Sequence, residues 1–211
     1  MKTCKAIIAL CCVLTLNACS PTIYKSNNFE SSKETVKTVA ILPFSVSNSG
    51  TRLPKGTTAE TLKESQRKTG YDIQSNAYSW FLQRQKNYII SFQDVDRTNA
   101  LLNTAGKNYD DISLMDKGEL CKLLNVDAII SGKATLSKPM SEGAAVALGL
   151  LVGAWGTTNR TTTTLTIHDG KSDLLWKYDF AASGSIGSNS ESLVNALMRN
   201  ASKKFPYKVK K

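Results

Sequence analysis

The sequence has little of the chemistry on which most enzymes depend. Its 211 residues contain one histidine, His168, and five cysteines, of which three lie within the first twelve residues. A zinc site needs about four nitrogen, sulfur or carboxylate ligands, so a Cys/His zinc site is excluded. Nucleophilic catalysis that needs an imidazole base could use only His168, which adjoins a predicted turn at Asp169. The motifs of serine hydrolases, P-loop nucleotide sites, zinc proteases and CxxC redox sites do not occur.

Acidic residues are missing from the two ends of the chain. Residues 1–18 carry two bases and no acid, residues 19–191 carry 19 bases and 17 acids, and residues 192–211 carry six bases and no acid. The net charge of +10 therefore belongs mainly to the ends, and the body of the chain is nearly neutral. A nucleic-acid partner is not expected, because such domains concentrate bases on one folded surface. Residues 205–211 are predicted to form a basic, solvated tail.

The amino terminus has the composition of a secretory signal peptide. Residues 1–5 are short and basic, residues 6–16 are uncharged and apolar, and small residues follow. The eleven apolar residues are too few to cross about 30 Å of hydrocarbon as a helix. Residues 1–18 are therefore predicted to be removed rather than to remain as a transmembrane anchor.

The processing site resembles the lipobox of bacterial lipoproteins. Leu16, Asn17 and Ala18 precede Cys19, and ordinary signal cleavage fits a bulky Leu16 poorly. The resemblance implies that palmitate-type lipid is attached through the thiol of Cys19, and that Ser20 directs the protein to the outer membrane, on its periplasmic side. If Cys19 is acylated, Cys121 is the only thiol left in the mature chain, and no intramolecular disulfide can form.

The mature chain alternates between strand and helix patterns. Residues 38–44 are an apolar, β-branched run typical of a strand buried on both faces. Residues 58–85 carry a core-facing helical stripe, and Gly70 is predicted to interrupt the helix. Strands are predicted at 88–92, 127–136, 161–167 and 174–180, with helices after Asp94 and Asp116 and a last helix beyond residue 188.

This order of elements predicts one α/β domain over residues 38–204. It has a mixed central sheet with helices packed on it, because strands separated by helices pair in parallel and the Asp169-Gly170 turn predicts a C-terminal antiparallel hairpin. Residues 19–37 are polar and lack an apolar period, so they are predicted to be a flexible tether between the lipid and this domain.

Three short motifs of the domain together resemble one family of envelope proteins. They are residues 39–44, residues 123–132 with Asp127 before a strand, and the hairpin that leads to Leu175-Trp176. The family includes the curli-secretion lipoprotein CsgG, LpoB-like lipoprotein activators of penicillin-binding proteins, and the amino-terminal domain of TolB. The resemblance implies an envelope protein that binds or assembles rather than catalyses. Nothing matches the two amphipathic hairpins of the curli channel.

An insertion at residues 141–157 interrupts the pattern of strands. Residues 143–158 carry no charge, and as a helix they would place Ala145, Gly149 and Gly153 along one side, with Trp155 nearby. The sixteen residues would reach about 24 Å as a helix, which is short of a bilayer span. Two interpretations stay open: an insertion that folds back on its own domain, or a contact with another copy of the chain or with the membrane.

The sequence therefore predicts a non-enzymatic envelope lipoprotein that serves as a scaffold, regulator or assembly component of an envelope or secretion system. No cofactor and no metal is expected. The expected partners are the membrane, through the lipid, an envelope protein that the sequence does not identify, and further copies of the chain. One alternative is a hydrolase of envelope polymer that uses a carboxylate pair such as Asp94/Asp96 or Asp110/Asp111. The other is a subunit of an outer-membrane secretion pore.

Overall fold

Seven strands and six helices make up the described part of the chain. A computed structural model describes residues 20–49, 57–138, 159–184 and 189–209. The strands are β1 Thr22–Lys25, β2 Thr38–Ile41, β3 Ser45–Ser49, β4 Ser91–Phe92, β5 Ala128–Ser137, β6 Asn159–Asp169 and β7 Leu174–Gly184. The helices are α1 Phe29–Thr35, α2 Ala59–Leu82, α3 Val95–Thr104, α4 Tyr109–Leu114, α5 Lys117–Leu124 and α6 Ser190–Lys204, with a short 3-10 turn at Gln85–Asn87.

The strands form one mixed sheet in the order β1-β7-β6-β5-β2-β4, and β3 pairs with β5 beyond the end of β2. Strands joined through helices pair in parallel, as β2 does with β4 and with β5. β5, β6, β7 and β1 pair with one another in antiparallel order. The predicted mixed sheet with a C-terminal antiparallel hairpin is confirmed.

Helices cover the sheet on both faces, as the apolar run at residues 38–44 predicts. Val39 and Ile41 lie in a large core with side chains of α1, α2 and α6, whereas Ala40 and Leu42 lie in a second core with α3, α4 and α5. All four side chains are essentially inaccessible to solvent. β2 therefore lies in the middle layer of a three-layer α/β domain, with helices packed on both of its faces.

Helix α2 continues through Gly70, where the sequence predicts an interruption. A Cβ at Gly70 would lie 2.3 Å from the carbonyl oxygen of Phe44 and 2.7 Å from the ring of Tyr109. The amide of Phe44 also donates to the carbonyl of Gly70 at 3.1 Å. Glycine is needed at position 70 because the loop after β2 lies directly against the helix and leaves no space for a Cβ. This residue therefore serves packing and does not end the helix.

The prediction of a flexible tether over residues 19–37 is wrong for the residues from Thr22 onward. Thr22–Lys25 extends the sheet by pairing with β7, and the helix that follows buries Phe29, which is 1% exposed. An apolar period is missing because β1 is an edge strand with all four residues exposed, and because α1 buries only Phe29 and Ser32. Single anchoring residues of this kind give no periodic signal.

The prediction of a solvated basic tail at residues 205–211 is wrong for its first residues. Phe205 and Tyr207 are fully buried in the larger core, where the ring of Phe205 lies 4.8 Å from that of Phe81. The hydroxyl groups of Tyr207 and Ser32 are 2.8 Å apart, so the end of the chain is bonded to α1. Lysines lie on both sides of Phe205 and Tyr207, and their charge obscures a buried segment in the sequence.

Replacement of Gly132 by alanine is expected to destabilise the domain by about 1–3 kcal/mol, because it overpacks the core. An added Cβ would lie 2.1 Å from the ring of Phe44, which is fully buried in the larger core. Gly170→Ala is the matched control, since its nearest neighbour would be 4.0 Å away. Urea denaturation of the two purified variants measures the difference, and equal midpoints would contradict the packing of Phe44 on Gly132.

Candidate functional site

The residues that the sequence analysis selects for lipidation and for oligomer or membrane contact lie outside the described residues. They are Leu16, Asn17, Ala18, Cys19, Ala145, Gly149, Gly153 and Trp155. The structure does describe the points at which these segments join the domain. Ser20 and Pro21 lead into β1, while Lys138 and Asn159 flank the apolar insertion.

Both segments join the domain toward the same end of the sheet. At that end Ser137 is opposite Arg160, and Arg160 is opposite Ser183. β1 runs antiparallel to β7 with Thr22 opposite Asp179, so the chain that precedes Thr22 approaches from the side of Gly184. The predicted lipid attachment and the uncharged insertion are therefore connected to neighbouring parts of the fold, although about 120 residues separate them in the sequence.

Among the described strands, the edge strand β1 pairs with β7 alone. Its backbone pairs with β7, and the amide of Ser26 donates to the carbonyl of Leu175 at 3.0 Å. Ile23 is 42% exposed and Tyr24 is 50% exposed, which is unusual for two adjacent apolar and aromatic side chains. The ammonium group of Lys25 lies 4.8 Å from the centroid of the Phe29 ring.

A polar cleft of about 550 Å³ lies at the opposite end of the sheet, between α1, the start of β5 and the turn of the β6–β7 hairpin. Two of its carboxylates accept hydrogen bonds from backbone amides. Asp127 Oδ2 accepts from the amides of Lys37 and Thr38 at 2.9 and 2.8 Å, and Asp169 Oδ1 accepts from the amides of Lys171 and Asp173 at 2.9 Å each. The motif residue Asp127 thus has the structural role that its position before a strand indicates.

The hairpin turn is fastened to the start of α5. The hydroxyl of Ser172, a residue at φ 69°, donates to Asp116 and accepts from the amide of Gly118 at 2.7 Å. The hydrogen bond from Ser172 is the main reason that the pKa of Asp116 is lowered, and the amide of Glu119 adds to it. This cluster caps a helix and orders a turn, which accounts for its polar residues without a ligand.

The acid pairs that could serve a hydrolase lie at helix starts. Asp94 Oδ1 accepts from the amides of Asp96 and Arg97 at 2.9 and 3.2 Å, so Asp94 caps α3. Asp111 Oδ2 accepts from the amide of Asn108 at 3.2 Å in the capping box of α4.

Among the described residues, no group of three or more His, Cys, Asp or Glu side chains could hold a metal ion. No helix in the described ranges is both long and apolar enough to span a membrane.

A groove of about 810 Å³ between α2 and α6 carries the side chains best suited to contact another protein. Trp80 lies at this groove, and its indole N–H donates to Asn195 Oδ1 at 2.6 Å. The guanidinium groups of Arg84 and Arg199 each lie 5.8 Å from the Trp80 ring. Tryptophan and arginine are the side chains that most often dominate binding energy at protein interfaces. The helical stripe of the sequence contains Trp80, but nothing in the sequence places it beside α6.

No protein-family model and no curated protein matches this chain. Solved structures do resemble it at low identity. The PelC dodecamer from Paraburkholderia phytofirmans has a TM-score of 0.46 at 10% identity, over 86% of this chain and 94% of that one. Lipoprotein GNA1162 from Neisseria meningitidis has a TM-score of 0.42 at 10% identity, over 80% of this chain and 96% of that one. The LpoB C-terminal domain from Salmonella enterica has a TM-score of 0.37 at 8% identity, over 76% of this chain and 96% of that one.

These structures include a lipoprotein and an LpoB domain, and the sequence motifs resemble the LpoB-like group as well. TM-scores below 0.5 carry no argument about function. The function of this chain has to be argued from its own residues.

Acidification is expected to destabilise the protein through His168, the only histidine of the chain. His168 is half-buried opposite Ile129, and its Nδ1 atom is buried with no hydrogen-bond partner among the described residues. Burial, together with the charge of Lys117, lowers the pKa of His168 below 6.5. The unfolded chain therefore binds a proton at a higher pH than the folded protein does, and the free energy of unfolding falls as the pH drops below about 6.5.

The control for this prediction is His168→Gln, which removes the titrating group. Urea denaturation between about pH 7.5 and pH 5.5 measures both proteins in a range in which carboxylates contribute little. Near pH 7.5 and above, both states bind very little of this proton, so His168 adds almost no slope there. Identical pH profiles for the wild type and the variant would contradict the assignment.

Proposed function

We propose that this protein is an envelope lipoprotein that acts by binding and assembling other components, with its lipid on Cys19. The observation that carries the proposal is the sequence Leu16-Asn17-Ala18-Cys19, which is followed after only two residues by a strand of the folded sheet. A signal peptide that ends at a cysteine directly before a folded domain serves to fix that domain to a membrane.

The chemistry of the two mature cysteines supports Cys19 as the acylated residue. Cys121 is 2% exposed in the second core, and its burial raises the pKa of the thiol to about 12. Such a thiol is almost entirely protonated near neutral pH and is a poor nucleophile. Each buried methylene of an acyl chain contributes about 0.8 kcal/mol, so two or three chains on Cys19 would hold the protein on a membrane stably.

The outer membrane, on its periplasmic side, is the proposed location. Ser20 at the position after the lipidated cysteine supports this location through the resemblance to sorted lipoproteins. The proposed work there is that of a scaffold, regulator or assembly component of an envelope or secretion machine. Capping roles for Asp94 and Asp111 account for two of the acids on which a hydrolase would depend.

Two surfaces are proposed for the partners. The groove beside Trp80 is the proposed site for an envelope protein, because a half-buried tryptophan flanked by Arg84 and Arg199 has the composition of an interface centre. The small-residue stripe at Ala145, Gly149 and Gly153, with Trp155, is the proposed contact with another copy of the chain or with the membrane.

Metabolic labelling with a fatty-acid analogue tests the lipid on Cys19. The wild type is expected to carry the label and to sediment with membranes, whereas Cys19→Ala is expected to carry none, because no other reactive thiol remains in the mature chain. Cys121→Ala is the matched control and should be labelled like the wild type. Equal labelling of the wild type and Cys19→Ala would refute the proposal.

A further inference from the structure

The distance between the proposed lipid and the sheet is very short. Only Ser20 and Pro21 separate Cys19 from Thr22, the first residue of β1. Three residues of extended chain reach at most about 11 Å. If Cys19 is acylated, as proposed above, the surface of the bilayer must therefore lie close to the β1 edge of the sheet, and the domain cannot stand away from it on a tether.

The β1 edge has the surface chemistry of a membrane contact. Ile23 and Tyr24 point to opposite faces of the strand, yet they are 42% and 50% exposed because neither face of β1 is covered. Tyrosine is enriched at the level of lipid headgroups, and a neighbouring lysine such as Lys25 suits anionic headgroups there. β1 ends the strand order of the described residues, and no described strand pairs with its outer side, where backbone groups could bond to headgroups or water.

We propose that β1 is a membrane-contacting edge, and that the sheet lies with this edge toward the bilayer and with β4 on the far side. Five strand spacings separate β1 from β4 in the strand order, which is about 24 Å at roughly 4.8 Å per spacing. Ile23 and Tyr24 then rest in the headgroup region beside the acylated Cys19, and Ser91 of β4 faces away from the lipid.

A second copy of the chain is the competing occupant of this open edge. β1 has only four residues, and an edge of this length buries far less than the roughly 1,200 Å² of a stable protein interface. The lipid, in contrast, is connected to β1 by a covalent chain of two residues. The bilayer is therefore the occupant that the geometry favours.

Fluorescence quenching by lipids tests the proposal with the full acylated protein in vesicles of phosphatidylethanolamine and phosphatidylglycerol. Thr22→Cys and Ser91→Cys place one exposed thiol on each edge of the sheet, and an NBD label is attached to each. The buried Cys121 stays in place, and labelling of the unsubstituted protein controls for it. Lipids with a nitroxide on the headgroup are expected to quench the label at residue 22 and to leave that at residue 91 unaffected.

Equal quenching at the two positions, or none at residue 22, would overturn the proposal. Energy transfer between labels on two chains at residue 22, without lipid quenching, would assign the edge to a second copy and would also overturn it. Inserting about ten Gly/Ser residues between Ser20 and Pro21 should reduce quenching at residue 22 while binding to vesicles persists. Failure of wild-type acylation refutes the proposed function, whereas an acylated, vesicle-bound protein without quenching at residue 22 refutes only this inference.

Discussion

The parallel pairing of β2 with β5 is the interaction on which the rest of the structure depends. Asp127, directly before β5, fixes the register of this pairing at one end of the two strands. The amide of Asp127 donates to the carbonyl of Thr38 at 3.0 Å, and its carboxylate accepts from the amides of Lys37 and Thr38. From this point Val39 aligns with Ala128 and Ile41 with Ile130. Because side chains alternate along a strand, a shift of one residue would exchange the residues of the two cores.

The segment before β2 and the segment after α6 both contribute side chains to the larger core, which packs on this strand pair. Phe29, which follows β1, and Tyr207, beyond the last helix, have ring centroids 5.0 Å apart. Phe205 joins them to Phe81 of α2 and to Trp176 of β7. The segments on either side of the predicted 38–204 domain therefore belong to its core, and burial of these rings stabilises the attachment of β1 and α1 to the sheet.

The sequence predicts the parts of this fold that repeat a pattern. The continuous apolar run of β2, the caps at Asp94 and Asp116 and the turn at Asp169-Gly170 each carry a local signal, and each is present. α1 and the stretch from Phe205 to Tyr207 depend on one or two side chains that pack among distant residues, and β1 depends on backbone pairing with β7. Such tertiary fits leave no period in the sequence, and lysines near Phe205 and Tyr207 mask them further.

The candidate site also has parts that a local sequence motif predicts and parts that depend on the fold. The lipobox is a local motif and can be found from sequence, whereas the approach of α6 to Trp80, and the position of Thr22 at a sheet edge, require the fold. This position changes the expected mode of attachment. The sequence predicts a tether of about eighteen residues, but the sheet begins only two residues after Cys19, the proposed lipidation position.

The central claim is that folded structure starts at Thr22, directly after the proposed lipid anchor. Hydrogen exchange of the acylated protein on vesicles, followed by mass spectrometry of peptides that cover residues 20–28, measures it most directly. Slow exchange is predicted for the β1 amides that face β7 and for the amide of Ser26, since these bond to β7. Complete exchange of these amides at the shortest labelling time, as in a flexible tether, would contradict it.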